Sequence, residues 1–418
     1  MASPNDPNLF GKAWTSLSRK GPAGLMHDAR DYLRWRLASP GAGSPETQCA
    51  PVSNWELNQR ELASLPDTLL SRPILVYAEA TTRCNLRCFM CRLQFPETTR
   101  QHRDHMKLET YARLEPLLEP GSRLSLFGLG EPLLNPSFVE MLRIATERGA
   151  TVGLNSNAML LDERIARAMV DLEQELLVIS FSGGTRESYE KVITGANYDR
   201  VLANLRRLNE LKREKAGDGV PLEQVKPVLQ LQFTAMKDNV HEVAGMVKLA
   251  IELRCAGAVV MPLTIFDPSL GDQSLLEPAL WPEIEASFEA ARAVAASAPY
   301  PFDLQLPTIQ LLGGMAAART TDGAGDSSGT HPSICHEPWQ TFYARDDGTV
   351  NSCCYSNRVM GDLKSQTALE IWNGDMYRRF RARMRSDNRP AECRVCHKLR
   401  GDDWYDQRVE DETFYDEL

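Results

Sequence analysis

The chain has 418 residues, 43% hydrophobic and 25% charged, with a formal net charge of −9, the balance of a globular protein large enough for one barrel domain and an appendage. The acidic surplus speaks against nucleic-acid binding, and no apolar run reaches the roughly 18 residues of a membrane-spanning helix. The opening MASPNDPNLFGKAW lacks a signal-peptide profile, so a cytoplasmic, reducing location is expected, where ten cysteines suit metal binding or catalysis better than disulfides.

In chain order, residues 1–72 read as an N-terminal extension, partly helical. It is rich in Pro, Ser and Gly around 39–53, with an amphipathic helix over about 25–37. From Pro73 short apolar strands alternate with helical patterns. The strands are 74–80, 123–130, 150–157, 175–182, 228–236 and 256–264, and stretches such as NVHEVAGMVKLAIELR between them repeat apolar residues every three or four positions. Such units make an α/β fold with a parallel sheet covered by helices. Six of them, over 73–266, predict a partial (β/α)6 barrel with its active site at the C-terminal ends of the strands. The alternation then lapses over 267–334, a connector with a helix near 281–296 and the stretch TTDGAGDSSGTHPS. Residues 335–400 form a smaller cysteine-rich domain with turn signals at 346–348 and 373–374, and 401–418 an acidic tail.

The cysteines fall into two groups. Directly after the first strand, TTRCNLRCFMCRLQ carries Cys84, Cys88 and Cys91. Three thiolates converging from a compact loop can hold a four-iron cubane, and three ligands for four irons leave one iron open to a small molecule. A zinc knuckle completed by His102 or His105 is the alternative. CNLRCFMC resembles the signature of the radical S-adenosylmethionine (radical SAM) superfamily, with Met90 in the slot before the last cysteine that usually holds an aromatic. A methionine sulfur can cover an adenine face in its stead. The resemblance implies that Cys84, Cys88 and Cys91 hold a [4Fe–4S] cluster whose open iron is chelated by S-adenosylmethionine.

Further segments resemble the superfamily in the expected order, over about 74–264. FGLGEPLLNP (127–136) resembles its Gly-Gly-Glu motif, which implies that Gly128, Gly130 and Glu131 hold the amino group of S-adenosylmethionine. LNSNAMLL (154–161) places Asn157 near the same molecule, and VISFSGG (178–184) places Ser180 at the ribose; Ser182 stands where the motif expects Asp. Ordinary strand-end turn chemistry is the other reading of each segment alone.

The second group comprises Cys335, Cys353, Cys354, Cys393 and Cys396. CHEPWQTFYARDDGTVNSCC, the IWNG segment and AECRVC resemble the SPASM family of C-terminal domains, in the shortened Twitch form that holds one auxiliary cluster. Cys335, Cys353, Cys393 and Cys396 then supply four thiolates for an auxiliary [4Fe–4S] cluster, and a four-cysteine zinc site is the alternative. Cys354 is surplus. It is a ligand in place of Cys353, a catalytic thiol that donates hydrogen, or a buried cysteine. Cys49 and Cys255 stand alone and are expected to be inert.

YRRFRARMRSDNR (377–389) carries six arginines, and the tail from Asp402 carries eight acidic residues. The plain reading is two solvated faces; the arginines could instead bind a phosphorylated substrate or an acidic electron donor such as a flavodoxin or ferredoxin. The resemblance implies reductive cleavage of S-adenosylmethionine to a 5′-deoxyadenosyl radical, which takes hydrogen from a substrate carbon. The expected substrate is a small biosynthetic molecule (a sugar, aminoglycoside or nucleoside) that is dehydrogenated or epimerised. The alternatives are a peptide maturase forming a crosslink or thioether, and a two-cluster electron carrier that is not an enzyme.

Overall fold

Burial along each strand follows the two-residue period of a pleated chain. Val76 and Ala78, Leu124 and Leu126, Val152 and Leu154, Leu177 and Ile179, and Leu229, Leu231 and Phe233 are all enclosed, while the residues between them are half-buried or exposed. One face of the sheet is therefore core, and the other is left for a site. The structure, a computed structural model, describes residues 52–95, 103–217, 219–265, 267–310, 312–313, 334–386 and 388–394.

After helix α1 (Asn54–Ser64) come β1 (Leu75–Ala78), α2 (Leu108–Ala112), β2 (Arg123–Leu126), α3 (Phe138–Glu147) and β3 (Thr151–Ser156). Then follow α4 (Glu163–Asp171), β4 (Leu176–Ser180), α5 (Arg186–Val192), α6 (Tyr198–Ala216), β5 (Val228–Ala235), α7 (Val243–Glu252) and β6 (Gly257–Pro262). The helices begin where the sequence supplies caps: Asp162 accepts from Ile165 N–H, Thr185 from Ser188 N–H and Asn197 from Arg200 N–H. Phe138, Met141 and Leu142 of α3, Ile165 and Met169 of α4, Leu205 and Leu208 of α6, and Met246 and Val247 of α7 join the enclosed strand residues in one core.

Strands β1 to β6 pair in parallel in sequence order, the partial barrel of six strand–helix units. The second strand stops at Leu126, short of the expected Gly130, because Phe127–Gly130 turns away to meet the cysteine loop. The connector contributes the expected helix, α8 (Trp281–Ala296), and also a seventh parallel strand, β7 (Asp303–Gln305), beside β6. Three residues are too few for periodicity to reveal.

The C-terminal region adds α9 (Glu337–Gln340), β8 (Thr341–Ala344), β9 (Thr349–Asn351), β10 (Val359–Asp362), α10 (Ala368–Trp372), α11 (Asp375–Met384) and α12 (Ala391–Arg394). Its hairpin does not stand apart. Strand β8 pairs in parallel with β1, Tyr77 opposite Tyr343, so one ten-stranded sheet carries both cysteine regions. Residues 54–72 close over the same region. Asn58 donates to the Trp339 carbonyl (2.7 Å), the Trp339 indole to Pro66 O (2.8 Å) and the Trp372 indole to Ser71 O (2.9 Å).

The arginine-rich segment is only partly a solvated face. Arg381 is enclosed, stacks on Trp372 (4.4 Å) and Tyr377 (5.0 Å), and donates to the carbonyls of Pro338 and Asp67 (2.9 Å each). Burial brings its pKa down to about 10. Arg378 pairs with Asp375 and Arg385 with Asp67. The helix expected at 25–37, Cys49, Cys396, His102 and the acidic tail fall outside the described residues. Among the described residues no helix is long and apolar enough to cross a membrane.

Candidate active site

The loop that follows β1 is anchored on three sides by backbone hydrogen bonds. Thr82 N–H donates to Asp104 O (3.0 Å), Arg87 N–H to Thr194 O (2.9 Å) and Glu131 N–H to Arg83 O (2.8 Å). Gly130 permits that last contact: a Cβ there would lie 2.3 Å from Thr81 O and 2.4 Å from Arg83 O, so no side chain fits. Gly128 is likewise covered, by the Glu79 side chain, whose Cγ would be 2.5 Å from an added Cβ. Gly130 is thus required by the packing of the GLGE segment on the cysteine loop, while Gly128 makes room for the Glu79 side chain.

Within the loop Cys84, Cys88 and Cys91 are half-buried unbridged thiols in mutual electrostatic range. Burial, then neighbouring charge, pushes Cys84 up to about 11 and Cys88 to about 12; burial also raises Cys91. Such thiols stay protonated until a metal takes the proton's place. Among the described residues no three His, Cys, Asp or Glu side chains converge tightly enough to hold one metal ion.

The neighbouring strand ends face this loop. Glu131 is enclosed and accepts from Ser156 Oγ (2.7 Å), Asn157 N–H (2.8 Å) and Leu133 N–H (3.2 Å). Burial outweighs those bonds and raises its pKa to about 7. Asn157 Nδ2 donates to Asn85 Oδ1 (3.0 Å) and reaches Cys84 Sγ (3.9 Å). The structure therefore brings Asn157, Glu131, Gly130 and the three cysteines together. Met90 is half-buried in the same loop, and Ser180 is half-buried at the end of β4, opposite Gln232 of β5. Ser182, where the resemblance expected Asp, serves the sheet: its Oγ accepts from Thr234 N–H (3.0 Å) and its carbonyl from Asn239 Nδ2 (3.2 Å).

The second group is assembled from distant segments. Cys353, just past β9, is in electrostatic range of Cys354, Cys393 and Cys335, and burial drives its thiol well above the ordinary value. Arg358, after Cys354, holds Glu392 of α12 through Nε (2.5 Å) and Nη2 (3.1 Å), which fixes the helix that carries Cys393. Cys354 is half-buried beside Cys353 and, like it, acts on the Tyr343 phenol of β8. The Tyr343 ring lies 5.7 Å from Tyr77, which is 6.0 Å from Phe127. A row of aromatic rings therefore runs along the open face from the second cysteine region toward the GLGE segment.

Cys255 is fully enclosed just before β6, with burial raising its thiol to about 12. Beyond the expected residues, the structure adds Tyr189, enclosed with its hydroxyl lacking a partner, and the Thr82–Asp346 hydrogen bond between the two cysteine regions (2.8 Å). Neither stood out in the sequence. Tyr189 was singled out by no motif, and Asp346 looked like a turn residue.

Comparison with known proteins agrees with this geometry. The radical SAM superfamily model matches residues 79–222, and the iron–sulfur cluster-binding SPASM domain matches residues 335–397. A tungsten-containing aldehyde ferredoxin oxidoreductase cofactor-modifying protein of Pyrococcus furiosus is 25% identical over 195 residues, 45% of this chain and 52% of that protein. The chain thus spans about half the length of that relative. A PqqA peptide cyclase of Gluconobacter oxydans is 25% identical over 345 residues, 80% of this chain and 86% of the relative. Among solved structures, Streptococcus suis SuiB bound to S-adenosylmethionine superposes with a TM-score of 0.58 at 13% identity, over 93% of this chain and 86% of that one. At that identity the likeness concerns the fold.

Proposed function

Because this chain belongs to the radical SAM superfamily and carries a C-terminal SPASM domain, we propose that its substrate is a ribosomally made peptide, in which it installs a crosslink or thioether. The observation that carries this reading is the reach of the similarity to a PqqA peptide cyclase, which covers four-fifths of the chain rather than the barrel alone. The open face of the sheet is compatible with it. Asn155, Gln230, Gln232 and Thr234 alternate with the core-facing residues of β3 and β5, and Asn155 Nδ2 donates to Gln232 Oε1 (3.2 Å). Neutral amides of this kind pair with peptide N–H and C=O groups and ask for no charge on the ligand. Dehydrogenation or epimerisation of a sugar, aminoglycoside or nucleoside has less support, and an electron carrier would have no use for an S-adenosylmethionine site.

In this reading Cys84, Cys88 and Cys91 hold the first [4Fe–4S] cluster, and Cys335, Cys353, Cys393 and Cys396 an auxiliary one. When bound, the cluster and S-adenosylmethionine supply an electron and a carbon radical able to abstract unactivated hydrogen. The chain's own residues position and enclose. Gly130 lets the GLGE backbone approach the cysteine loop, Glu131 fixes the turn at Ser156–Asn157, and Asn157 braces Cys84. Met90 and Ser180 border the space for the adenosyl group. Cys354, half-buried beside Cys353, is the proposed catalytic thiol, and a flavodoxin or ferredoxin is the proposed electron donor.

The test is 5′-deoxyadenosine release by the anaerobically reconstituted chain with dithionite and S-adenosylmethionine. Peptides encoded next to its gene should accelerate release and emerge lighter by a pair of hydrogen atoms, whereas aminoglycosides and nucleosides should do neither. Acceleration by a small molecule alone would overturn the peptide reading.

A further inference from the structure

Tyr189 of α5 is fully enclosed, yet its hydroxyl has no hydrogen-bond partner among the described residues. An unpartnered buried hydroxyl costs about 1–3 kcal/mol, so a group that completes it there would be favoured. The ring cannot turn elsewhere. It stacks on Phe181 (4.3 Å between centroids, 22° between planes) and meets the edge of Tyr198 (5.8 Å). Gly183 secures the arrangement, since a Cβ there would lie 2.4 Å from Tyr189 N.

Burial is the main influence on this phenol, and Cys88, Glu190 and Glu131 are the ionisable groups near enough to act on it. The last two are engaged. Glu190 accepts from Tyr198 N–H (2.8 Å), and both oxygens of Glu131 accept from Leu133, Ser156 and Asn157. Cys88 remains, and it is tied to the same structural block. The neighbouring Arg87 N–H donates to Thr194 O just after α5, and Leu86 lies against Gly195. The cysteine loop and the end of α5 are therefore joined directly.

We infer that Tyr189 is a positioning residue for the first iron–sulfur centre, its hydroxyl donating a hydrogen bond to a sulfur at the Cys88 corner once the centre is in place. This rests on Cys84, Cys88 and Cys91 being the ligands. Hydrogen bonds to cluster sulfurs withdraw electron density and make the centre easier to reduce. A tyrosine retained for packing alone would do its work through the ring, and the hydroxyl would be dispensable.

Tyr189→Phe keeps the ring and distinguishes the two roles. In the reconstituted full chain, a redox titration followed by the electron paramagnetic resonance signal of the first cluster should show the reduced-to-oxidised ratio at a fixed poise falling about tenfold. That corresponds to a potential about 59 mV more negative for a one-electron couple. The iron-free variant should melt no lower than the iron-free parent, because the hydroxyl has no partner there. A variant with an intact fold that fails to retain the centre would also support the contact. An unchanged potential overturns the inference, and so does an iron-free variant that melts lower, since the hydroxyl then has a partner within the protein. If the Cys84, Cys88, Cys91→Ala protein keeps the centre, the ligand assignment itself has failed. If it loses the centre while Tyr189→Phe leaves the potential unmoved, only the role of Tyr189 has.

Discussion

Cys84, Cys88 and Cys91 come from one loop of eight residues, whereas Cys335, Cys353 and Cys393 come from three segments up to 58 positions apart. The first set is organised by backbone bonds to its flanks, at Asp104, Thr194 and Glu131, and by Gly130, which tolerates no side chain. The second depends on single side chains that reach far along the sequence: the Trp339 and Trp372 indoles to the Pro66 and Ser71 carbonyls, and Arg358 to Glu392. A site closed by backbone survives most side-chain substitutions, while one closed by single side chains depends on each of them. The two should therefore fail in different ways.

The largest separation is expected from removing the thiols themselves. The reconstituted parent should hold about eight iron per chain, four at each site. Ala at 84, 88 and 91 should leave about four and abolish S-adenosylmethionine cleavage. Ala at 335, 353 and 393 should also leave about four while cleavage without substrate persists. Iron and sulfide analysis with 5′-deoxyadenosine assay reads both, and loss of cleavage in the second variant would erase the distinction.

A smaller but sharper contrast lies in Glu392→Gln. The Arg358 and Glu392 side chains are 8% and 15% exposed, so Gln, which keeps an acceptor but loses the charge facing the guanidinium, weakens their contact by about 1–3 kcal/mol. The expected outcome is a lower melting temperature and loss of auxiliary iron on gel filtration, with the first cluster's iron retained. Equal loss from both sites would mean that the pair supports the whole sheet.

The same contrast explains what the sequence could and could not reveal. The six parallel strands and α8 were legible because alternation and helical periodicity are local, and Cys84, Cys88 and Cys91 because their spacing is a short string. Strand β7 was hidden by its length of three residues, and the β1–β8 pairing by the 266 positions between Leu75 and Thr341. Arg381 read as one of six surface arginines because only the fold brings the Pro338 and Asp67 carbonyls to it. Tyr189 looked like an ordinary position in a helix, since an orphaned hydroxyl is a property of its surroundings.

The smallest effect tests whether the two regions are separate at all. Thr82 precedes the first cysteine loop, and its Oγ1 donates to Asp346 Oδ2 (2.8 Å) while accepting from Asp104 N–H (2.9 Å). Asp346 lies in the turn between β8 and β9, upstream of Cys353, and both side chains are buried. Thr82→Val preserves shape and removes both bonds, a loss of about 2 kcal/mol. If the sheet holds the two cysteine regions as one block, amide hydrogen exchange should quicken in parallel over 82–91 and 345–354, because the β1–β8 ladder transmits the loosening. If each region is stabilised on its own, exchange should quicken over 82–91 alone. The parallel outcome is expected: Asp346 is held from the first loop by this bond, and the strand leading to it is paired with β1 along its whole length. An effect confined to 82–91 would leave the long-range pairs around Trp339, Trp372 and Arg358 as what keeps the second cysteine group in place.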